Sequence, residues 1–348
     1  HTTTDVDNTV IIGRSAGAAD MTNTADGTVA IGHSALNALT SGIGNVAIGY
    51  ESLDANQTSD YNVAVGDNAL GAVNGDGDGG NTAVGFKSGF AVTSGVYNTF
   101  IGRTAGYTMS SGDHNVAIGG EALKLGTGND NVAIGSQAMD ASVGSIGNVA
   151  IGRNAMGANS TGVDYCVAIG YEALNTANHA DADGNVAIGY QSQLSNDSGI
   201  ANTAVGYRAL RVNVDGNYNT AIGHQALETF EASSDGDGNN TAVGINALQA
   251  ATTSINNTAV GAFASDVITT GSSNTSVGSS ALGTATTSTN NVAVGYRALS
   301  EMRANGNGNV AIGKDAIMGN ILDEDVDYMV GIGNACLVGA LESEASGT

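Results

Sequence analysis

The stretch "GNVAIGYESL" occupies Gly44–Leu53, and near copies follow: "GNVAIGYQSQL" at Gly184–Leu194, "NTAVGYRAL" at Asn202–Leu210 and "NVAVGYRAL" at Asn291–Leu299. A catalytic motif is needed once. Nine residues written again and again are a unit of length. Aligned on the glycine that closes each "AIG" or "AVG", from Gly13 to Gly333, the sequence holds 19 units. Ten of the 18 spacings are 17 residues; the others reach 21, and one, Gly119 to Gly135, is 16.

Each position in the unit has its own chemistry. Ile or Val precedes the glycine in all 19 units, Val or Thr stands two residues earlier in all 19, and Ala lies between them in 15. Asn opens the motif in 15 of the 19 (Asn45, Asn62, Asn291). Period-two alternation of β-branched residues predicts a strand of about four residues. The glycine suits a turn with positive φ or close backbone packing. The Asn suits a turn, or pairing with its equivalent one coil away. A small residue and then Leu, Met or Ile follow three and four residues after the glycine (Ala35–Leu36, Ala138–Met139), and read as a short return strand. Seventeen residues cannot hold a strand, a helix and two loops, which argues against leucine-rich and ankyrin repeats. The expected fold is all-β: a parallel β-roll or β-solenoid of about 19 short coils, mostly 17–21 residues each, rising about 4.8 Å per coil to a rod of roughly 90 Å. Residues 1–339 read as one repeat array and 340–348 as a short C-terminal tail.

The composition agrees. The 348 residues include 52 Gly, no Pro and no Trp, with 12% charged and 41% apolar residues, which suits short strands joined by tight turns. A net charge of −23 argues against nucleic acid as a partner and against unaided docking on anionic lipid. No apolar run approaches the ~18 residues of a membrane span, so no membrane insertion of this segment is expected. Cys166 and Cys336 read as small buried apolar residues, not as a disulfide framework. The chain opens at His1 and reads as a processed chain or part of a longer one.

If Val and Ile fill the coil, the intervening Ala faces outward. An outward column on a free rod should tolerate large and polar residues, yet Ala47, Ala64, Ala133, Ala187, Ala221 and Ala293 are all small. That reading makes the Ala column the packing surface of an oligomer whose chains share a core. The opposite assignment, with Ala inward, permits a monomeric solenoid.

"NVAIGxxAL", repeated head to tail from Asn8 to about Leu337, resembles the head repeats of trimeric autotransporter adhesins, the YadA-like heads, and equally repeats in tail-fibre proteins of bacterial viruses. The resemblance implies a left-handed β-roll, three intertwined chains and an adhesive role. Family heads usually have a shorter unit, and no heptad stalk or anchor barrel follows here. The likeness therefore supports the fold better than the choice between adhesin and viral fibre.

Two groups of candidate site residues stand out. The position after the repeat glycine holds Tyr50, Tyr171, Tyr190, Tyr207 and Tyr296, and the next adds Arg208 and Arg297; seven of the ten basic residues fall in this two-residue window. Stacked coils would gather them into a ridge able to contact a cell-surface glycan, a protein receptor or a neighbouring chain. The plainer reading is a solvated turn that spaces out charge. Acidic loops form the second group: Asn74, Asp76 and Asp78 alternate like the start of a calcium loop, without its closing Glu. Asp181 and Asp183, Asp235 and Asp237, and Asp323, Asp325 and Asp327 repeat the theme. Calcium is the one cofactor these residues suggest; ordinary Asp-Gly turns are the alternative. The five histidines follow no metal-ligand spacing, and no catalytic constellation emerges. The sequence thus reads as a non-enzymatic, extracellular, homotrimeric rod on a cell surface or virion. A structural filament subunit is the runner-up and a fibre-borne glycan hydrolase a remote third.

Overall fold

The computed structural model describes residues 8–22, 24–158, 162–177, 179, 182–232, 238–301, 306–318 and 327–338. The chain divides into two compact units, His1–Ile169 and Gly170–Thr348. Each is a parallel β-solenoid, and no helix occurs among the described residues. Ten repeat strands lie in the first unit, from Val10–Ile12 to Val167–Ile169, and nine in the second, from Val186–Ile188 to Val330–Ile332. Every one is three residues long.

Within a unit, equivalent residues pair in strict register: Val132 with Val149, Ala133 with Ala150, Ile134 with Ile151. The hydrogen bonds of the sheet run between neighbouring coils, while the turns add bonds within a coil, such as Ala69 N–H to the Gly66 carbonyl at 3.4 Å. Val46 N–H donates to the Asn62 carbonyl and Gly49 N–H to the Ile31 carbonyl, each at 2.8 Å. A coil by itself therefore satisfies few of its backbone groups, and stacking supplies the rest. The glycine at the strand end is required for two reasons, the second of which lapses at Gly333. Gly49 has φ of +142°, and a Cβ there would overlap the Gly66 carbonyl of the next coil.

The asparagines form two continuous ladders inside the coils. In the first unit the ladder climbs from Asn45 through Asn62, Asn81, Asn98, Asn115, Asn131 and Asn148; in the second it runs from Asn185 to Asn309. Asn62 shows the scheme. Its N–H and Nδ2 both donate to Asn45 Oδ1 (2.9 and 3.2 Å), while Asn45 Nδ2 donates to the Ser59 carbonyl at 2.8 Å. The first ladder ends where Cys166 N–H donates to Asn148 Oδ1, and the second where Met329 N–H donates to Asn309 Oδ1. Pairing of Asn with Asn between coils, one of the two roles expected of it, is what holds this corner.

The faces of the strand are the reverse of the expected ones. Ala47, Ala64, Ala133, Ala187, Ala221 and Ala293 are completely buried within their own coils, so they cannot pack against another chain. The Val, Thr and Ile residues beside them point outward and are half-buried or exposed. The cause is volume. Leucines such as Leu53, Leu70 and Leu123 fill the interior from the opposite wall, and a coil of 17 residues leaves only methyl-sized room opposite them. Phe100 demonstrates the limit. It replaces the Ala, and the Leu positions of its own and the preceding coil are Gly106 and Gly89, where a Cβ would collide with its ring.

The return segment is likewise not a strand. It is a chain of turns with non-glycine residues in the left-handed region, such as Glu51 (φ +50°) and Leu53 (φ +49°). Left-handed leucine costs roughly 1–2 kcal/mol. The geometry is held because Leu53 N–H reaches the Ala69 carbonyl of the next coil while its side chain enters the core.

Candidate functional surfaces

Three surfaces run along each unit, each made by stacking equivalent positions of the repeat. The widest is the outer face of the sheet. Its two columns contain only Val, Thr and Ile, with no charged residue in either. Ile48, Ile101, Ile222 and Ile312 remain 37–40% exposed. Paired strands lie about 4.8 Å apart, and this spacing turns the columns into an apolar strip.

The second surface is the expected tyrosine ridge. Tyr171, Tyr190, Tyr207 and His224 stack face to face in sequence, with centroids 5.4, 5.2 and 5.0 Å apart and planes within 12°. Tyr50 stacks with His33 at 5.2 Å. The Arg208 guanidinium lies 5.1 Å from the Tyr207 centroid, and its Nε donates to Gln191 Oε1 at 3.3 Å. Arg297 turns to Glu301, 3.1 Å away, and Tyr296 is half exposed. The Tyr50 phenol is pushed up by the adjacent Glu51 carboxylate, through a hydrogen bond and its charge. Because the rings cover one another's faces, the ridge offers edges and hydroxyls to solvent. Each stacked pair contributes about 0.5–1.5 kcal/mol, so the ridge also braces neighbouring coils.

The third surface escaped the sequence reading. Tyr61, Tyr97, Tyr165, Tyr218 and Tyr328 occupy the position just before the ladder residue, all with φ of 57–61°. All five are at least half exposed, reaching 70% at Tyr328. Tyr61 lies against Gly44 of the preceding coil, Tyr97 against Gly80 and Tyr328 against Gly308; a Cβ on any of these glycines would strike the ring. Ten of the eleven tyrosines therefore fall in two columns, one at either end of the strand. The signal was present as a triplet: Asp60-Tyr61-Asn62, Asp164-Tyr165-Cys166, Asn217-Tyr218-Asn219 and Asp327-Tyr328-Met329.

The first member of the triplet also has a fixed task. Asp60 Oδ1 accepts the Ile43 N–H, Asp164 Oδ1 the Ile146 N–H and Asp327 Oδ1 the Asn307 N–H, each at 2.7 Å. Asp327, a candidate calcium ligand, thus binds backbone of the coil before it. Of the other candidates, Asp76 accepts the Thr58 hydroxyl at 2.6 Å, and Asn74, Asp76 and Asp78 are exposed. The Asp183 carbonyl accepts the Ala201 N–H at 3.0 Å. Asp181, Asp235, Asp237, Asp323 and Asp325 lie outside the described residues. Among the described residues no three His, Cys, Asp or Glu side chains come together as a metal site, and no helix is long and apolar enough to cross a membrane.

No known family model and no curated protein matches the chain.

Proposed function

We propose that this chain is the rod of a trimeric, extracellular fibre, held together through the outer face of its sheet and presenting its tyrosine columns to a host or substrate surface. The observation that carries the reading is the uncharged Val/Thr and Ile/Val face on a chain of net charge −23. In each unit the two columns run over nine or ten strands with no charged residue, and Ile48, Ile101, Ile222 and Ile312 stay 37–40% exposed; an ordered apolar strip of this kind marks an interaction surface. Copies of so acidic a chain repel each other elsewhere, and this strip is where they can approach without desolvating charge.

The resemblance of "NVAIGxxAL" to adhesin heads and tail-fibre repeats supports three as the number of chains, and a cell surface or virion as the location. The sheet face takes over the packing role first given to the Ala column. Adhesion would work by avidity, with weak contacts at Tyr and Arg side chains repeated on every chain of the rod. The net charge of −23 argues against nucleic acid as a partner. The test is to place carboxylates on the face of both units, as Ile134→Asp and Ile151→Asp together with Ile222→Asp and Ile312→Asp. Sedimentation should show the wild-type trimer reduced to a folded single chain. Unchanged assembly would defeat the reading, and long polymers of the wild type would favour a filament.

A further inference from the structure

The outer face is not uniform. In the second unit the first column reads Val186, then Thr203, Thr220, Thr241, Thr258 and Thr275, then Val292, Val310 and Val330. The pairing is in register through the whole block, Thr203 with Thr220, Thr220 with Thr241, Thr241 with Thr258 and Thr258 with Thr275. All five threonines are half-buried on the outward side. Within the described residues their hydroxyls make no hydrogen bond to the chain itself. Ordinary β propensity does not require them, since Val fills the same position in twelve of the 19 strands and suits a strand as well; outside the block only Thr82 and Thr99, in the first unit, share it.

We propose that this threonine block fixes the register and direction in which copies of the chain associate. The inference rests on the self-association argued above. Closed rotational symmetry brings equal heights of each copy together. In-register parallel copies then place Thr203 beside Thr203 and Thr275 beside Thr275, and neighbouring hydroxyls can donate to and accept from each other. A slip by one coil sets a threonine at each end of the block against valine. Its hydroxyl loses water and gains no partner, the costly way to bury a polar group. The block is also off-centre, with one valine row before it and three after, so reversing one copy misaligns it too. A buried Asn in a coiled-coil seam works by the same logic, giving up stability to specify one arrangement.

The test uses the full chain with Cys336→Ser and a spin label at Tyr296→Cys, on the half-exposed ridge. Distances between labels report register, because a slip adds about 4.8 Å of axial offset per coil. Labelled chains without further change should give one narrow distance. Replacing all five threonines with valine should leave assembly intact or tighter but broaden the distances. The out-of-register population should rise about tenfold for each 1.4 kcal/mol of lost discrimination. Replacing them with serine, which keeps the hydroxyls, should preserve the single distance. A five-valine protein that keeps one narrow distance, or that no longer associates, overturns the proposal. A protein with native threonines that sediments as a single chain defeats the self-association reading itself, a result distinct from failure of the register claim alone.

Discussion

Ala133 and Ile134 are neighbours in one strand, yet Ala133 has no exposed surface while Ile134 is only half covered. The same contrast separates Ala221 from Ile222 and Ala311 from Ile312. The inner face of the sheet is saturated: each position has a partner across the coil and another one coil away. The outer face is well ordered but uncommitted. Changes inside should therefore cost the fold, whereas changes outside should cost only what the fold touches.

The largest effect is expected at Phe100. Its truncation to alanine opens a space between Gly89 and Gly106 that cannot collapse, and should cost about 3–5 kcal/mol in denaturant unfolding. Combining Phe100→Ala with Gly106→Leu restores the common pairing of Ala with Leu and should recover most of the loss. Gly106 already has the left-handed φ of +60° that leucine adopts at this position in other coils. No recovery would mean that the two residues do not share one volume.

Next comes the ladder. Asn115→Ala removes the acceptor of the Asn131 N–H and the donor to the Gly128 carbonyl, both inside the coil. About 3 kcal/mol is expected, because orphaned buried groups cost about 1–3 kcal/mol each. A loss no larger than that at an exposed asparagine would show that the ladder is ornamental to stability. On the ridge, Tyr190→Ala breaks two ring stacks at once and should cost about 1 kcal/mol. Equal stability of the variant would leave the ridge purely a contact surface.

The repeat length, the parallel sheet and the roles of Asn45 and Gly49 were legible in the sequence because they follow from period and turn chemistry. Which face is inside was not. Alternation groups Val46 with Ile48 and sets Ala47 apart, but it does not say which group meets the core. Volume decides that, and the opposite wall sets the volume. The decisive clue lay in the exceptions: Phe100 stands with Gly106, and Ile11 with Gly17, where most units have Ala with Leu, Met or Ile. The Tyr171–Tyr207 ridge was legible from column alignment. The Tyr61 column was missed because the position also holds Gly, His, Asp, Ala, Asn and Ser, and because the Tyr61, Tyr97 and Tyr328 rings occupy space that a glycine of the preceding coil leaves open.

Two small effects sharpen the contrast further. On the outer face, Ile151→Ser in a dissociated chain should change unfolding free energy by no more than about 0.5 kcal/mol. A larger loss would mean that the face already has a partner within the chain. Asp54, Asp140 and Asp266, at one repeat position just after the left-handed residue, have carboxyls pushed up, chiefly by burial. A raised folded value means that the folded chain binds these protons more readily than the unfolded one. Their contribution to stability is therefore gained as pH falls from neutral into the carboxylate range, and lost as pH rises. Melting temperature should rise slightly on mild acidification, and less so when the three are replaced by asparagine. A fall that the triple variant does not share would reverse the assignment.

The most direct test of the central claim is the mass of the native chain in solution by sedimentation equilibrium. A sheet face that exists to be covered predicts about three times 34.3 kDa at micromolar concentration. A stable species of 34.3 kDa, with Ile48, Ile101 and Ile222 open to solvent, would contradict it.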